Sequence, residues 1–252
     1  MSVDLTGRVA LVTGASAGLG RRFAAVLAEA GAAVVLVARR AEALDTLAEE
    51  IRAGGGRALV HPLDLADAAA IPAAFDAAEA AFGTVDILVN NAGVADGDWA
   101  TRLSVETIDH VIAINLRAPF LLATETARRL MAANLPGRIV NLSSVGAFHY
   151  APNSAAALYC ATKAGLIRLT ETLAIEWARH RINVNAIAPG MFVSEMTAGF
   201  IERVGDKVRE RFPRKRMGEP EMLDSTLLYL VDPASHFVTG TCVTVDDAQQ
   251  PR

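Results

Sequence analysis

The sequence has few of the features that mark secreted, membrane or nucleic-acid-binding proteins. Only two of its 252 residues are cysteines, so Cys160 and Cys242 indicate buried thiols rather than a disulfide framework. No apolar run approaches the roughly 18 residues that a membrane span needs, and the first residues lack the pattern of a signal peptide. The net charge of −4 disfavours a nucleic-acid partner, which usually meets a basic face. We therefore expect a cytoplasmic protein with neither a membrane nor a nucleic-acid partner.

A composition break that would divide the chain is also missing. No Pro-, Gly- or Ser-rich linker interrupts it, and single α/β domains often reach this length. Hydrophobic residues make up 52% of the chain and charged residues 21%, which excludes a disordered protein. We expect residues 1–252 to form a single domain.

Short β-branched runs alternate with long Ala-rich segments along the chain. Strands are predicted at residues 8–13, 33–38, 58–61, 86–90, 138–142, 182–188 and 242–246. Helices are predicted at residues 18–30, 41–53, 67–82, 104–133, 155–180 and 219–231, with Ser104 capping the fourth. This alternation predicts a doubly wound parallel sheet of seven strands, an α/β fold with helices on both faces. Ligands of such sheets bind at the carboxyl ends of the strands, so functional residues are expected there.

The first predicted strand runs into a glycine-rich turn, TGASAGLG at residues 13–20. Glycines let the backbone approach a phosphate, and the N-terminus of the following helix offers free N–H groups and a positive dipole. An ordinary glycine-rich turn is the alternative, but the position between a first strand and a helix favours a dinucleotide site. The cofactor-binding candidates in this turn are Gly14, Ser16, Ala17, Gly18, Leu19 and Gly20.

Two arginines, Arg39 and Arg40, follow the second predicted strand. An acidic residue at the end of that strand would favour NAD(H), but the position is Ala38, and arginine suits the 2′-phosphate of NADP(H). Two solvated arginines at a helix start are the alternative. A cationic pair opposes the helix dipole there, so NADP(H) is the predicted cofactor.

Tyr159 and Lys163 stand four residues apart in a predicted helix and share one of its faces. An ammonium group beside a phenol lowers the pKa of the phenol, which can then exchange a proton with a carbonyl oxygen. A surface Tyr–Lys pair is the alternative. Ser144, after the fifth strand, supplies a hydroxyl that can orient the reacting oxygen. Asn115 is a poor helix former inside the fourth helix, and a buried amide that bonds the backbone is the alternative for it.

These motifs, in this order, resemble the short-chain dehydrogenase/reductase family, especially its 3-oxoacyl reductase-like and ketoreductase members. The resemblance runs from Leu5 to about Gln249. It rests on TGASAGLG, on Asp64, on NNAG at residues 90–93, on Asn115, on NLSS ending at Ser144, on YCATK at residues 159–163 and on Pro189-Gly190.

The resemblance implies a Rossmann fold and a role for each of these positions. Tyr159 is implied as the acid/base, Ser144 as the residue that positions the substrate oxygen, Lys163 as the residue that lowers the tyrosine pKa and holds the nicotinamide ribose, and Asn115 as the anchor of a water. Further cofactor-binding residues are implied at Asp64, Leu65, Asn91, Ala92, Gly93, Pro189, Gly190, Val193 and Ser194. No metal site is implied. A homotetramer, or else a dimer, is implied through the helices at 104–133 and 155–180 and the last strand, with weak support from Leu166, Leu169, Leu173 and Trp177.

The chain departs from the family pattern at three places. Ala17 stands where many NADP(H) enzymes of the family carry a basic residue, so the cofactor prediction depends on Arg39 and Arg40. The stretch between Ser144 and Tyr159 is about two residues longer than usual, which alters a pocket wall expected from Phe148, His149, Tyr150 and Asn153. The tail reads VDDAQQPR where the family often has a Gly-Gly pair.

The substrate is predicted from an apolar segment, residues 191–215, which is expected to form a lid that excludes water. Ordinary packing of short helices is the alternative. Trp99, Phe148 and Tyr150 are expected to add aromatic walls. We expect NADP(H)-dependent reduction of a medium-sized, largely apolar ketone, with a 3-oxoacyl thioester or a polyol or sugar as alternatives, and a nucleotide-sensing scaffold as the non-enzyme alternative. A basic cluster could attract an anionic substrate or be a solvated segment; it comprises Arg209, Arg211, Arg214, Lys215 and Arg216.

Overall fold

The predicted apolar runs form one parallel sheet in the computed structural model, which describes residues 3–149 and 155–250. The strands are β1 (Val9–Thr13), β2 (Ala33–Ala38), β3 (Arg57–Pro62), β4 (Ile87–Asn90), β5 (Gly137–Leu142), β6 (Ile182–Pro189) and β7 (Cys242–Val245). Their order in the sheet is β3-β2-β1-β4-β5-β6-β7, and every pairing is parallel. The predicted seven-stranded Rossmann sheet is confirmed.

Helices cover both faces of this sheet. They are α1 (Gly18–Glu29), α2 (Ala41–Ala53), α3 (Ile71–Ala81), α4 (Val105–Ile112), α5 (Ala118–Ala133), α6 (Ala157–Trp177), α7 (Glu195–Arg209) and α8 (Asp224–Val231). No helix in the described ranges combines the length and the apolarity that crossing a bilayer requires.

Alternate residues of the central strands point into two separate cores. Val34 and Leu36 of β2 belong to one core with Phe23 of α1, whereas Val35 and Val37 belong to the other with Phe75 of α3. Strands buried on both faces need apolar residues at every position, not only at alternate ones. This requirement explains why the strands read as continuous apolar runs.

Two predicted elements differ in detail. Residues 104–133 were predicted as one helix, but a π-helical turn at Ala113–Arg117 separates α4 from α5. The predicted cap is confirmed, because the Ser104 hydroxyl accepts a 3.2 Å hydrogen bond from the Thr107 amide. The segment 191–215 contains the 15-residue helix α7, where the sequence indicated only mixed apolar structure; the side chains of Met196, Phe200 and Val204 fall outside the description.

The strand order reverses beside β1, which pairs with β2 on one side and β4 on the other. The crossover connections leave in opposite directions at this point, and a crevice opens outside the carboxyl ends of the strands. The loops that carry the predicted functional residues all begin at this edge of the sheet.

Candidate active site

A cleft of about 520 Å³ lies at the carboxyl edge of the sheet. Residues from the ends of β1 to β6 and from the start of α7 line it. Predicted site residues make up much of the lining: Gly14, Ser16, Ala17, Gly18, Leu19, Arg39, Arg40, Asp64, Leu65, Asn91, Ala92, Gly93, Ser144, Tyr159, Lys163, Pro189, Gly190 and Ser194. Further described lining residues, which the sequence did not single out, include Val94, His110, Ile114, Leu142, Phe192, Glu195 and Thr197.

The glycine-rich turn has the shape of a phosphate cradle. Gly14 and Gly18 have φ angles of +68° and +52°, which L side chains rarely adopt. A Cβ at Gly20 would collide with the Gly14 carbonyl oxygen, so Gly20 serves the close packing of the turn and does not line the cleft. Ala17 precedes α1 and gives it no side-chain cap. The first amides of α1 therefore stay available for an anion, and the turn fits a dinucleotide.

Thr13 and Asn91 join the glycine-rich turn to the loop after β4. The Thr13 hydroxyl accepts hydrogen bonds from the amides of Asn91 at 3.0 Å and Ala92 at 3.1 Å. The Asn91 side-chain amide donates in return to the Thr13 carbonyl at 3.0 Å. Thr13 opens the TGASAGLG motif, but its role in joining the turn to the loop after β4 was not predicted, because it depends on a contact with a strand 76 residues away.

The two arginines after β2 have different partners. Arg40 donates to the Glu195 carboxylate at 2.8 and 3.2 Å and to the Ser16 hydroxyl at 3.1 and 3.3 Å. Arg39 is exposed and lines the same cleft. The pair of Arg40 and Glu195 links this end of the cleft to the start of α7.

Ser144, Tyr159 and Lys163 meet in one wall of the cleft. The Ser144 hydroxyl is close enough to the Tyr159 phenol to act on its pKa in the lowering direction. The Ser144 hydroxyl also accepts a 3.1 Å bond from the Gly146 amide, which fixes its orientation. The Lys163 Nζ lies 5.7 Å from the centre of the Tyr159 ring and donates to the Leu142 carbonyl at 2.6 Å.

Desolvation dominates the proton affinities in this wall. Tyr159 is half-buried as a whole, but loss of hydration at its phenol raises its pKa, while the hydrogen bond with Ser144 acts in the lowering direction. Burial lowers the pKa of Lys163 to about 8. The net pKa shift of Tyr159 is thus opposite to the lowering predicted from Lys163, because the phenol is desolvated and the ammonium group is bonded to a carbonyl oxygen.

Asn115 sits in the π-helical turn and is fully buried. Its Oδ1 accepts from the Val94 amide at 2.8 Å, and its Nδ2 donates to the Val94 carbonyl at 2.8 Å and to the Thr162 hydroxyl at 3.2 Å. Single π turns inside helices occur often at functional sites. Asn115 does not line the cleft directly; it ties the loop after Gly93 to α6, as expected for a buried amide that bonds the backbone, and its role as a water anchor stays a prediction.

Asp96 is a further residue that the sequence analysis missed. It is only 6% exposed, and its Oδ2 accepts from the amides of Leu158 at 3.0 Å and Tyr159 at 3.2 Å. These amides belong to the first turn of α6, where a helix needs outside acceptors. Its Oδ1 is buried, with no hydrogen-bond partner among the described residues. Local patterns give no signal for this role, since the bonds span about 62 residues of sequence.

The wall after β6 agrees only in part with the prediction. Pro189, Gly190 and Ser194 line the cleft, but Val193 does not: its side chain is 40% exposed and its amide donates to the Gly218 carbonyl at 2.9 Å. Val193 therefore faces away from the cleft because its backbone pairs with the far end of the segment.

Two of the three aromatic residues expected in the walls, Trp99 and Phe148, do not line this cleft. Trp99 is 44% exposed and Phe148 is 51% exposed, and neither is among the described residues of the lining. Tyr150 and Asn153 lie outside the described residues. The described apolar lining of the cleft includes Val94, Leu142 and Phe192 instead.

Known proteins resemble this chain over nearly its whole length. A 3-oxoacyl-(acyl-carrier-protein) reductase from Aquifex aeolicus is 36% identical and covers 98% of both chains. A 2-dehydro-3-deoxy-D-gluconate 5-dehydrogenase from Escherichia coli is 36% identical, covering 96% of this chain and 95% of that protein. A solved gluconate 5-dehydrogenase from Burkholderia cenocepacia, in complex with NADP and tartrate, is 35% identical with a TM-score of 0.91, covering 98% of this chain and 96% of that one.

A family model described as enoyl-(acyl carrier protein) reductase matches residues 14–247. The match includes the glycine-rich turn from Gly14 onward and the four predicted catalytic residues, Asn115, Ser144, Tyr159 and Lys163. With the sheet order, the cleft and the full-length relatives, it shows that this chain belongs to the short-chain dehydrogenase/reductase family of oxidoreductases, which act between an alcohol and a carbonyl group.

Proposed function

We propose that this protein transfers a hydride reversibly between NADP(H) and a medium-sized, largely apolar ketone or secondary alcohol, with Tyr159 as the acid/base. The observation that carries the proposal is the cleft wall that brings Ser144, Tyr159 and the buried Lys163 together, with Lys163 Nζ 5.7 Å from the centre of the Tyr159 ring. A nucleotide-sensing scaffold would not need this arrangement of ionisable groups beside the cradle.

The side chains of this wall have separate tasks. Ser144, oriented by the Gly146 amide, donates a hydrogen bond to the substrate oxygen and holds it beside the phenol. Tyr159 gives its proton to that oxygen during reduction and takes it back during oxidation. The raised pKa of Tyr159 keeps the phenol protonated at neutral pH, which suits reduction. A bound nicotinamide supplies or accepts the hydride.

Lys163 and Asn115 act behind the phenol. Lys163 retains its charge at neutral pH with a pKa of about 8, and its ammonium stabilises the phenolate that forms during reduction. Asn115 holds the loop after Gly93 against α6. A Cβ at Gly93 would lie 3.4 Å from Lys163 Nζ and 3.5 Å from Asn115 Oδ1, so this loop passes directly beside both.

The cofactor is NADP(H). Relatives of known structure from Beutenbergia cavernae, Burkholderia cenocepacia and Agrobacterium tumefaciens contain NADP. In this chain the 2′-phosphate would meet Arg39, whose guanidinium is exposed at the cleft, and no acidic residue occupies the end of β2.

The chemistry of the lining supports an apolar substrate. Val94, Leu142 and Phe192 belong to the same cleft lining as the catalytic wall, and among the described lining residues the arginines are Arg39 and Arg40, which follow β2. A small carboxylate would need a cation with free donors beside the catalytic wall, whereas the Lys163 ammonium in that wall is buried and already donates to the Leu142 carbonyl. The named relatives act on 3-oxoacyl thioesters and on sugar acids, and these two classes are the alternatives.

Kinetics with three substrate classes test the proposal. An aryl ketone and a 3-oxoacyl thioester, each with NADPH, and a polyol with NADP⁺ are compared for the wild type, Tyr159→Phe and the control Tyr229→Phe, an exposed tyrosine on α8. We expect the ketone to have the highest kcat/KM, and Tyr159→Phe to lower kcat by about 10²- to 10⁴-fold, the usual contribution of a general acid.

Two results would contradict the proposal. Unchanged turnover in Tyr159→Phe would exclude the mechanism, since Tyr229→Phe controls for loss of a hydroxyl elsewhere. A polyol preferred by more than about tenfold in kcat/KM would exclude the apolar pocket.

We further propose a homotetramer, with a dimer as the alternative. Leu166, Leu173 and Trp177 are buried inside the subunit and so do not support pairing. Support comes instead from exposed apolar side chains on the predicted pairing helices: Val105 and Ile112 on α4, Phe120 on α5 and Ile175 on α6. A cytoplasmic location stays a prediction.

A further inference from the structure

The chain after β7 folds back onto both ends of the segment that contains α7. The Gln249 side-chain oxygen accepts a 2.6 Å hydrogen bond from the Met191 amide. Its side-chain nitrogen donates to the carbonyls of Met191 and Arg216, each at 3.4 Å. The Gln249 side chain thus contacts both ends of the segment that contains α7, at Met191 and at Arg216.

The two ends are also paired with each other. The Gly218 amide donates to the Met191 carbonyl at 2.9 Å, and the Val193 amide donates to the Gly218 carbonyl at 2.9 Å. The Phe192 ring packs so closely on Gly218 that a Cβ there would lie 2.5 to 2.7 Å from its atoms. Residues 191–193 and 216–218 therefore form a common base from which α7 extends.

Asp247 binds the returning end by charge. Its carboxylate accepts from Arg216 Nε at 2.6 Å and pairs with Arg214 Nη1 at 3.2 Å. These pairs engage two arginines of the basic cluster, 214 and 216, with the protein's own tail. The contact holds the end of the segment rather than leaving those two charges free for an anionic substrate.

The tail adopts an unusual backbone to make these contacts. Asp247 and Ala248 have φ angles of +50° and +61°, the left-handed region that favours glycine and disfavours alanine. The buried Asp246 carboxylate accepts from the amides of Ala248 at 3.3 Å and Gln250 at 3.1 Å, which stabilises the turn. Strained backbone of this kind persists where surrounding contacts over-determine it.

The base of the segment is continuous with the catalytic cleft. Gly190 and Phe192 line the cleft on either side of Met191, and Ser194 and Thr197 follow. A Cβ at Gly190 would clash with the Gln249 side chain and with Asp246. Gln249 therefore packs directly against the backbone of the cleft lining at Gly190.

We propose that Asp247 and Gln249 are positioning residues that clasp the base of the segment 191–218 and so fix the substrate side of the cleft. The proposal rests on the proposed carbonyl–alcohol function for its effect on the substrate. Neither residue touches the reacting atoms; both act through residues 190–194 and 216–218. The expected consequence of losing the clasp is weaker substrate binding with little change in the chemical step.

Hydrogen–deuterium exchange and steady-state kinetics with NADPH test this clasp. Gln249→Ala removes the side-chain bonds to Met191 and Arg216. Asp247→Asn removes the charge and keeps a residue that tolerates the left-handed backbone. Gln250→Ala is the matched control, because Gln250 donates to Asp246 through its backbone amide, which the substitution keeps.

We expect Gln249→Ala and Asp247→Asn to speed exchange of the amides in residues 191–194 and 216–218 by about three- to tenfold, as loss of an ordinary hydrogen bond does. KM for the ketone should rise by a similar factor while kcat stays within about twofold, the pattern of lost ground-state binding. Gln250→Ala should change neither quantity.

If the amides of residues 191–194 and 216–218 exchanged as slowly in Gln249→Ala as in the wild type, the proposed clasp would be refuted. Faster exchange throughout the sheet would overturn it as well, since that is general destabilisation. Faster local exchange with unchanged KM would refute the positioning role. If the wild type turned over no carbonyl compound or alcohol, the proposed function would fail, and the exchange data of the NADPH complex would still decide whether the clasp exists.

Discussion

Arg39 and Arg40 are neighbours in the sequence but differ in what their guanidinium groups already bind. The donors of Arg40 are directed at Glu195 and Ser16, so a phosphate would have to displace a carboxylate there. Arg39 is exposed at the same end of the cleft. The sequence predicted a basic pair for the 2′-phosphate, but only the tertiary position of Glu195 distinguishes the two residues.

Arg39→Ala should therefore weaken NADPH binding by about ten- to a hundredfold, the size of a lost charge-assisted hydrogen bond, and leave NADH binding unchanged. Arg40→Ala is the matched control and should have a smaller effect on NADPH. Fluorescence titration of both cofactors with the three proteins measures this. Equal affinity of the wild type for NADH and NADPH, or an equal loss in both variants, would contradict the assignment to Arg39.

Other functional residues could be predicted only where a short stretch of sequence reveals their role. The glycine-rich turn, Ser144 and the pair of Tyr159 and Lys163 carry recognisable spacing, and the structure brings them to one cleft. Asp96 carries no such spacing, because its hydrogen bonds reach α6, and the motif that Thr13 opens does not reveal its hydrogen bonds to the loop after β4. The direction of the Tyr159 pKa shift was also missed, since spacing reveals the ammonium group but not the desolvation of the phenol.

Helix α6 is the element on which the catalytic pair depends, and Asp96 fixes its first turn. The carboxylate accepts from the amides of Leu158 and Tyr159, so the position of the Tyr159 backbone depends directly on it. Its negative charge also contributes to the raised pKa of Tyr159, after the larger effect of desolvation. Capping and charge therefore act on the same residue and can be separated by two substitutions.

Asp96→Ala removes both effects and should lower the free energy of unfolding by about 1–3 kcal/mol, as loss of a buried cap does, with a fall in kcat. Asp96→Asn keeps an acceptor oxygen and removes the charge, so stability should be largely restored. Removing a negative charge favours the phenolate, and the Tyr159 limb of the pH–rate profile should move to lower pH.

Thermal unfolding and pH–rate profiles of the two variants measure these effects. If Asp96→Asn were as unstable as Asp96→Ala, the charge itself would be required for capping. A Tyr159 limb that stayed in place, or moved to higher pH, would show that the charge of Asp96 does not act on the phenol.

The break between α4 and α5 shows where prediction of elements fails. The cap at Ser104 predicted the start of one continuous helix over residues 104–133, and helices are present on both sides of the break. The π-helical turn between them holds Asn115, whose three hydrogen bonds reach Val94 and Thr162. The local sequence does not encode these contacts, because they form only when the loop after β4 and α6 pack around the turn.

At the scale of the whole molecule, the sheet and its two layers of helices could be predicted from the composition and from the alternation of β-branched runs with Ala-rich segments. Apolar runs predicted strands buried on both faces, and the two cores on opposite sides of β1 and β2 confirm this. Assembly is less predictable, because an apolar helical residue can face either the sheet or a second subunit. Leu166, Leu173 and Trp177 face the interior, although their spacing alone was compatible with a subunit interface.

The side chains left exposed on the pairing helices give a test of assembly. Phe120 on α5 is 44% exposed, and Met222, outside the predicted pairing elements, is also 44% exposed. The wild type should have about four times the 26.6 kDa mass of the chain in light scattering at micromolar concentration. Phe120→Glu should dissociate the tetramer, because an unpaired charge inside an interface costs several kcal/mol, whereas Met222→Glu should leave it intact. A monomeric wild type would contradict the tetramer, and a tetramer that withstands Phe120→Glu would place the pairing surface elsewhere than on this face of α5.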